Sequence, residues 1–120
     1  MGRDPRQRVG QDGEDAACAE LRRRGYEILA RRYRTRRGEI DIVAREGRTV
    51  VFVEVKTRAD DRFGGGAAAV TWRKQRTIAM VATEFLERTG AGNVPCRFDV
   101  VVVSRGTPPR LEVFTNAFGG

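Results

Sequence analysis

The strongest constraint on what this chain can fold into is a pair of apolar runs that carry acids at alternate positions. Glu39-Ile40-Asp41-Ile42-Val43-Ala44 is followed, across Arg45-Glu46-Gly47-Arg48, by the run from Thr49 to Thr57. Period-two alternation marks strands, and a short connection containing glycine marks a hairpin. In the first strand Glu39 and Asp41 share one side, and Ile40 and Ile42 share the other. In the second, Phe52, Glu54 and Lys56 share one side, and Val51, Val53 and Val55 the other. Two turn lengths fit. One sets Asp41 opposite Phe52 and the other sets it opposite Glu54. Both place the acids and Lys56 on one side of the sheet, whereas an odd-length loop exposes an isoleucine or valine face.

The remaining elements build a sheet around this hairpin. Asp12 is an acceptable N-cap, with Asp15 as its capping-box partner, for a helix that runs to Arg24 and ends at Gly25. Tyr26 to Tyr33 carries strand signals. A second helix is predicted over 71–88 from the spacing of Ile78, Val81, Ala82 and Phe85, with Gly90 and Gly92 ending it. Phe98 to Val103 is a continuous apolar run, suited to a strand buried on both faces. Pro108-Pro109 makes a turn before a short strand, Leu111 to Phe114. The order α-β-β-β-α-β-β predicts one α/β domain over 12–118, a mixed sheet flanked by helices. Residues 1–11 read as a mobile tail, and residues 58–69, with three consecutive glycines and three alanines, as a mobile loop.

Composition narrows the chemistry. The 120 residues include no histidine, which removes His general bases, Ser-His-Asp triads and His metal ligands. Serine occurs once, at Ser104. Cys18 and Cys96 are too few for a Cys-only zinc site and read as two small buried thiols. Catalysis would then rest on carboxylates, lysine, arginine, tyrosine or a bound metal. No stretch approaches the ~20 apolar residues of a membrane span, and residues 1–12 lack the apolar core of a secretory signal. The expectation is a cytoplasmic protein with no membrane partner.

Charge is concentrated. The chain carries a net +7, and residues 22–37 hold eight arginines, Arg22, Arg23, Arg24, Arg31, Arg32, Arg34, Arg36 and Arg37, against one acid, Glu27. The excess therefore sits in one segment, as expected of a polyanion site, with nucleic acid favoured over an anionic membrane. The alternative is a solvated cationic surface. Lysine is rare: Lys56 and Lys74 stand among 23 cationic residues. Where arginine is the default cation, a lysine hints at chemistry that arginine does not supply.

The acids of the hairpin repel one another, and Lys56 offers one charge against them. Hard oxygen ligands so placed suit Mg²⁺ or Mn²⁺. Glu14 leads the apolar stripe of the first helix, Ala17, Cys18 and Leu21, and so faces the sheet, where first-turn dipole stabilisation is its competing role. Lys74 lies on the stripe of Ile78, Val81 and Phe85, with snorkelling as its competing role. Asp99 reads equally as a partner of Arg97 or of a loop and as a catalytic acid. Trp72 reads as core or rim packing ahead of a base-stacking platform.

Glu39-Ile40-Asp41 followed by Val53-Glu54-Val55-Lys56 resembles the Asp…Glu-x-Lys signature of the PD-(D/E)xK nucleases, the restriction-endonuclease-like fold. Gly13-Glu14, Gly38, Phe52, Thr57-Arg58, Lys74 and Arg97-Phe98-Asp99-Val100 extend the match to the bacterial YraN-like family, akin to archaeal Holliday-junction resolvases, over residues 10–118. The resemblance implies Asp41 and Glu54 as metal ligands, Glu14 as an additional catalytic acid and Lys56 as the lysine near the attacking water. With it come a Mg²⁺ or Mn²⁺ cofactor and cleavage of structured or branched DNA. Arg22, Arg31, Arg32, Arg34, Arg36, Arg37 and Lys74 would then hold backbone phosphates. Junction cleavage needs two active sites and so a homodimer. The competing reading is a nucleic-acid-binding module of the same fold that does not cleave.

Overall fold

A computed structural model describes residues 5–58 and 70–119, with side chains from residue 12 onward. Two helices, α1 (Pro5–Arg23) and α2 (Trp72–Thr89), accompany five strands: β1 (Glu27–Thr35), β2 (Gly38–Glu46), β3 (Thr49–Arg58), β4 (Cys96–Ser104) and β5 (Arg110–Phe118). The element order is the predicted α-β-β-β-α-β-β. The strands form one sheet in the order β1-β2-β3-β4-β5. Only β3 and β4 run parallel; the other neighbours are antiparallel. The parallel pair needs a crossover, and α2 supplies it.

Each helix covers one face. Ala17, Cys18 and Leu21 of α1 pack on Ile42, Ala44, Val51, Val53, Val101 and Val103. Ile78, Val81, Ala82 and Phe85 of α2 pack on Ile40, Val43, Val50, Phe52, Val100 and Val102. Successive residues of β3 and β4 thus alternate between two apolar layers, which is why both read as nearly continuous hydrophobic runs.

The helix boundaries follow the capping chemistry, with one correction. Gly25 has φ 94°, and the Tyr26 N–H donates to the Leu21 carbonyl at 2.9 Å, a glycine C′ ending as predicted. The Thr71 hydroxyl accepts from the Lys74 N–H at 3.2 Å to open α2, and Gly90 at φ 65° closes it. However, α1 starts at Pro5 rather than Asp12. Proline at a first helical position loses nothing by lacking an N–H. Asp12 and Asp15 therefore lie within the helix, and of the predicted tail only residues 1–4 fall outside the described residues. So does the predicted loop, save for Arg58, which ends β3. Strand β5 runs past its predicted end because Phe114, Ala117 and Phe118 continue the α2-side layer. Of the two cysteines, Cys18 is buried as expected and Cys96 is exposed.

Candidate active site

The hairpin adopts the register in which Glu46 pairs with Thr49 and Ile42 with Val53, which brings Asp41 level with Glu54. Cα pairing between β2 and β3 stops at Ile42. Beyond it the Asp41 side chain takes over, Oδ2 accepting the Val55 N–H at 2.8 Å.

Strict alternation in β2 fails at this point. Ile40 belongs to the α2-side layer and Ile42 to the α1-side layer, although two residues apart should share a face. β2 therefore turns over at Asp41, which corrects the expectation that Ile40 and Ile42 point the same way. The neighbouring strand shows the cause. Arg31 pairs with Ile42 and Tyr33 with Ile40, so Arg32 stands across from Asp41, and Arg32 has φ 52°. A left-handed arginine costs about 1–2 kcal/mol, and such irregularities re-aim side chains beside functional sites. Glu39 leaves the acid face and pairs with Arg34 at 2.7 Å.

Glu54 shares the α2 side with Phe52 and is 4% exposed. Its Oε2 lies 4.0 Å from Lys56 Nζ and 3.8 Å from Lys74 Nζ. Both lysines of the chain thus converge on one carboxyl oxygen. The other oxygen, Oε1, is buried with no hydrogen-bond partner. Burial pushes the Glu54 carboxyl up to about 8, helped by a hydrogen bond and repulsion from Asp41 and opposed by Lys74 and Lys56. Two acids this close require a proton or a cation between them.

Glu14 is elsewhere. It lies on α1, beside the opposite face, and its oxygens accept from Arg31 Nε at 2.8 Å and Arg32 Nε at 3.1 Å. Two guanidiniums hold it, and the described residues contain no group of three acids, cysteines or histidines able to bind a metal. The protein's donors to a cation at Glu54 are then Asp41 and Glu54. That set fits Mg²⁺, which commonly takes one or two carboxylates and completes its shell with water and substrate phosphate.

The arginine segment divides. Arg31 also bridges Asp15, Arg34 bridges Glu39, and Arg23 and Arg24 bridge Glu20. Arg22, Arg36 and Arg37 are exposed and bridge no acid among the described residues. The +7 of this segment counted its own residues only, and acids from α1 and β2 return to neutralise part of it. Lys74 was expected at phosphates but not beside Glu54. The scarcity of lysine was the available signal for that convergence. Asp99 is placed by Arg97 Nε at 3.0 Å and the Asn116 N–H at 2.9 Å, with Tyr26 and Arg97 on its other oxygen. Trp72, expected in the core or at its rim, is 74% exposed. At the start of α2 it points away from the stripe of Ile78, Val81 and Phe85.

Residues 13–103 match the model of the uncharacterised protein family UPF0102. The chain is 50% identical over 113 residues to a UPF0102 protein of Symbiobacterium thermophilum, covering 92% of this chain and 96% of the relative. It is 49% identical over 112 residues to a UPF0102 protein of Geobacter sulfurreducens, covering 92% and 88%. A third relative, from Nitrosomonas europaea, is 44% identical over 109 residues, covering 91% and 92%. The chain belongs to the UPF0102 family. No helix among its described residues is long and apolar enough to cross a membrane.

Proposed function

We propose that this protein is a metal-dependent endonuclease of the PD-(D/E)xK type, acting on structured or branched DNA. The observation that carries the reading is the pairing of Asp41 with a buried Glu54 whose Oε1 has no partner, flanked by both lysines of the chain. A purely structural carboxyl would have its acceptors filled. The resemblance of Asp41…Glu54-Val55-Lys56 to the nuclease signature supports the same reading.

In this proposal Asp41 and Glu54 hold a Mg²⁺ or Mn²⁺ ion. The bound ion supplies acidification of a water and neutralisation of phosphate charge. The Val55 N–H fixes Asp41 against β3, so the ligand is held by backbone. Lys56, half-exposed beside Glu54, orients the attacking water and stabilises charge developing on the phosphate. Lys74 approaches the same carboxyl from α2 and is free to turn to a phosphate oxygen. Arg36 and Arg37, which bridge no acid among the described residues, contribute position without sequence preference.

The test is a cleavage assay on duplex, flap, four-way junction and single strand with Mg²⁺ or Mn²⁺. Cleavage that requires the metal and disappears in Asp41→Asn, Glu54→Gln and Lys56→Arg is the expected result. Binding without cleavage under every condition would favour the non-cleaving module instead. Cleavage that survives Glu54→Gln would remove the site from Asp41 and Glu54.

A further inference from the structure

The outer face of α2 carries a large apolar side chain that packs in neither core layer of the described residues. Trp72 is 74% exposed, and Met80, two turns later, is 40% exposed. Tryptophan is highly buried on average, so a largely exposed one at a helix start calls for a reason. Its surroundings are cationic. Arg73 and Arg76 are exposed on the same helix, and no acid occurs in α2 before Glu84. The Arg36–Arg37 turn adjoins them: Arg37 Nη1 donates to Met80 Sδ at 3.6 Å. Contact between turn and helix is close, since a Cβ on Gly38 would collide with Thr77 Cγ2.

This stripe begins in the helical turn that sends Lys74 to Glu54. Trp72 and Lys74 both lie in the first turn of α2, but two residues is about 200° around the axis, so the indole and the ammonium flank the helix start on nearly opposite sides. A strand that crosses the start of α2 from Lys74 therefore comes onto the outer face, where Trp72, Arg73 and Arg76 are exposed. Cations hold the backbone and an aromatic ring receives a base, which is the combination used for single-stranded nucleic acid. In a paired duplex the bases are stacked on each other and offer no free face. A second copy of this chain is the poorer occupant, because a shared face would set Arg73 and Arg76 against like charges.

We infer that Trp72 is a stacking platform for an unpaired base on the outer face of α2, across the helix start from Lys74 and the Asp41–Glu54 site, making single-stranded or branched nucleic acid the preferred substrate class. The inference rests on the nuclease reading for its substrate and adds the residue that selects it. It assigns Trp72 to binding and not to the chemical step.

Trp72 is the single tryptophan of the chain, so its fluorescence reports on this site alone. The full chain in EDTA is titrated with a fluorescein-labelled oligothymidylate and, separately, with a blunt GC-rich hairpin. Tryptophan quenching and fluorescein anisotropy are read in parallel. The expected result is strong quenching by the single strand and weak quenching by the duplex. Trp72→Ala should weaken single-strand binding about tenfold, the stacking contribution of one base, and leave duplex binding unchanged. Trp72→Phe should restore most of the loss. An anisotropy rise without quenching, or equal affinity for Trp72→Ala, overturns the platform and leaves the nucleic-acid reading standing. Absence of any anisotropy change overturns both. A blue shift of the emission that grows with protein concentration alone identifies a second copy as the occupant, and also overturns the inference.

Discussion

Two buried carboxylates stand one residue apart across the parallel pair, Glu54 on β3 and Asp99 on β4, and they are treated in opposite ways. Asp99 pairs in register with Val53 and faces the α1 side, while Glu54 pairs with Val100 and faces α2. Asp99 is fully buried, yet every direction around it is filled. Arg97 and the Asn116 N–H serve Oδ1, Tyr26 and Arg97 serve Oδ2, and Arg97 is further tied to Glu46 at 2.8 Å. Glu54 has two lysines near one oxygen, no protein donor to the other, and an acid as neighbour. Equal burial thus accompanies unequal satisfaction. A carboxylate that serves the fold has its hydrogen bonds completed, and one that awaits a ligand does not. The lysines fit this contrast, since an ammonium is a mobile point charge and Arg97's fork is fixed.

The largest expected effect breaks the comparison by chemistry. Glu54→Gln should abolish metal-dependent cleavage while leaving the metal-free protein at least as stable at pH 8. It removes a charge next to Asp41 at nearly constant volume. Asp99→Asn should do the reverse. Cleavage measured below the melting temperature should persist, while stability falls by ~1–3 kcal/mol, because the amide sets a donor against Tyr26 and Arg97 where the buried carboxylate oxygen accepted from both. Denaturant melts of both variants, beside cleavage rates, decide the matter. If Glu54→Gln is the strongly destabilised variant, Glu54 belongs with Asp99 as a structural acid.

Much of this was legible in sequence, and what was not has a physical cause. Period two across β3 placed Glu54 and Lys56 on one face, and the apolar spacing of α2 placed Lys74 on that helix's apolar stripe, but not above Glu54. Gly25 and Gly90 ended helices where their left-handed φ is needed. The turnover at Asp41 was illegible because it depends on Arg32 adopting φ 52° in the adjacent strand, which no local pattern announces. Glu14 was misjoined to the acid pair for a related reason. Its helical stripe showed correctly that it faces the sheet, but not that Arg31 and Arg32 reach it first. Trp72 followed the average behaviour of its residue type, and exposure at a helix start is set by tertiary packing.

A smaller effect sharpens the contrast through pH. Glu54 has an ordinary value of 4.5 and is raised to about 8 in the fold. Between those values the folded chain holds a proton that the unfolded chain has released. Stability therefore falls as pH rises through that window, by at most about 1.4 kcal/mol per pH unit for one proton. Melting in EDTA from pH 5 to pH 9 should show this fall in the native protein and a flatter profile in Glu54→Gln. Asp99→Asn should lower the whole curve without flattening it. A native profile that rises through the same window contradicts the buried, proton-holding state of Glu54.

The smallest effect extends the same distinction, between satisfied and unsatisfied charge, to the arginine segment. Arg31 and Arg32 are held by Glu14, and Arg34 by Glu39. Arg36 and Arg37 lie at the β1–β2 turn, are exposed, and bridge no acid among the described residues. A guanidinium already engaged must give up its partner before it gains a phosphate, so its net contribution to binding is reduced. Arg36→Ala with Arg37→Ala should therefore weaken duplex binding for every sequence and flatten the dependence of log K on log salt by up to about 0.9 per lost contact. Arg34→Ala should change the slope less, since it also frees Glu39 to repel the same phosphates. The measurement is the affinity for one duplex at four or five salt concentrations for the native chain and both variants. A larger change in slope for Arg34→Ala than for the double variant would show that the ion pair with Glu39 opens on binding, and would place the phosphate track along β1 rather than at its turn.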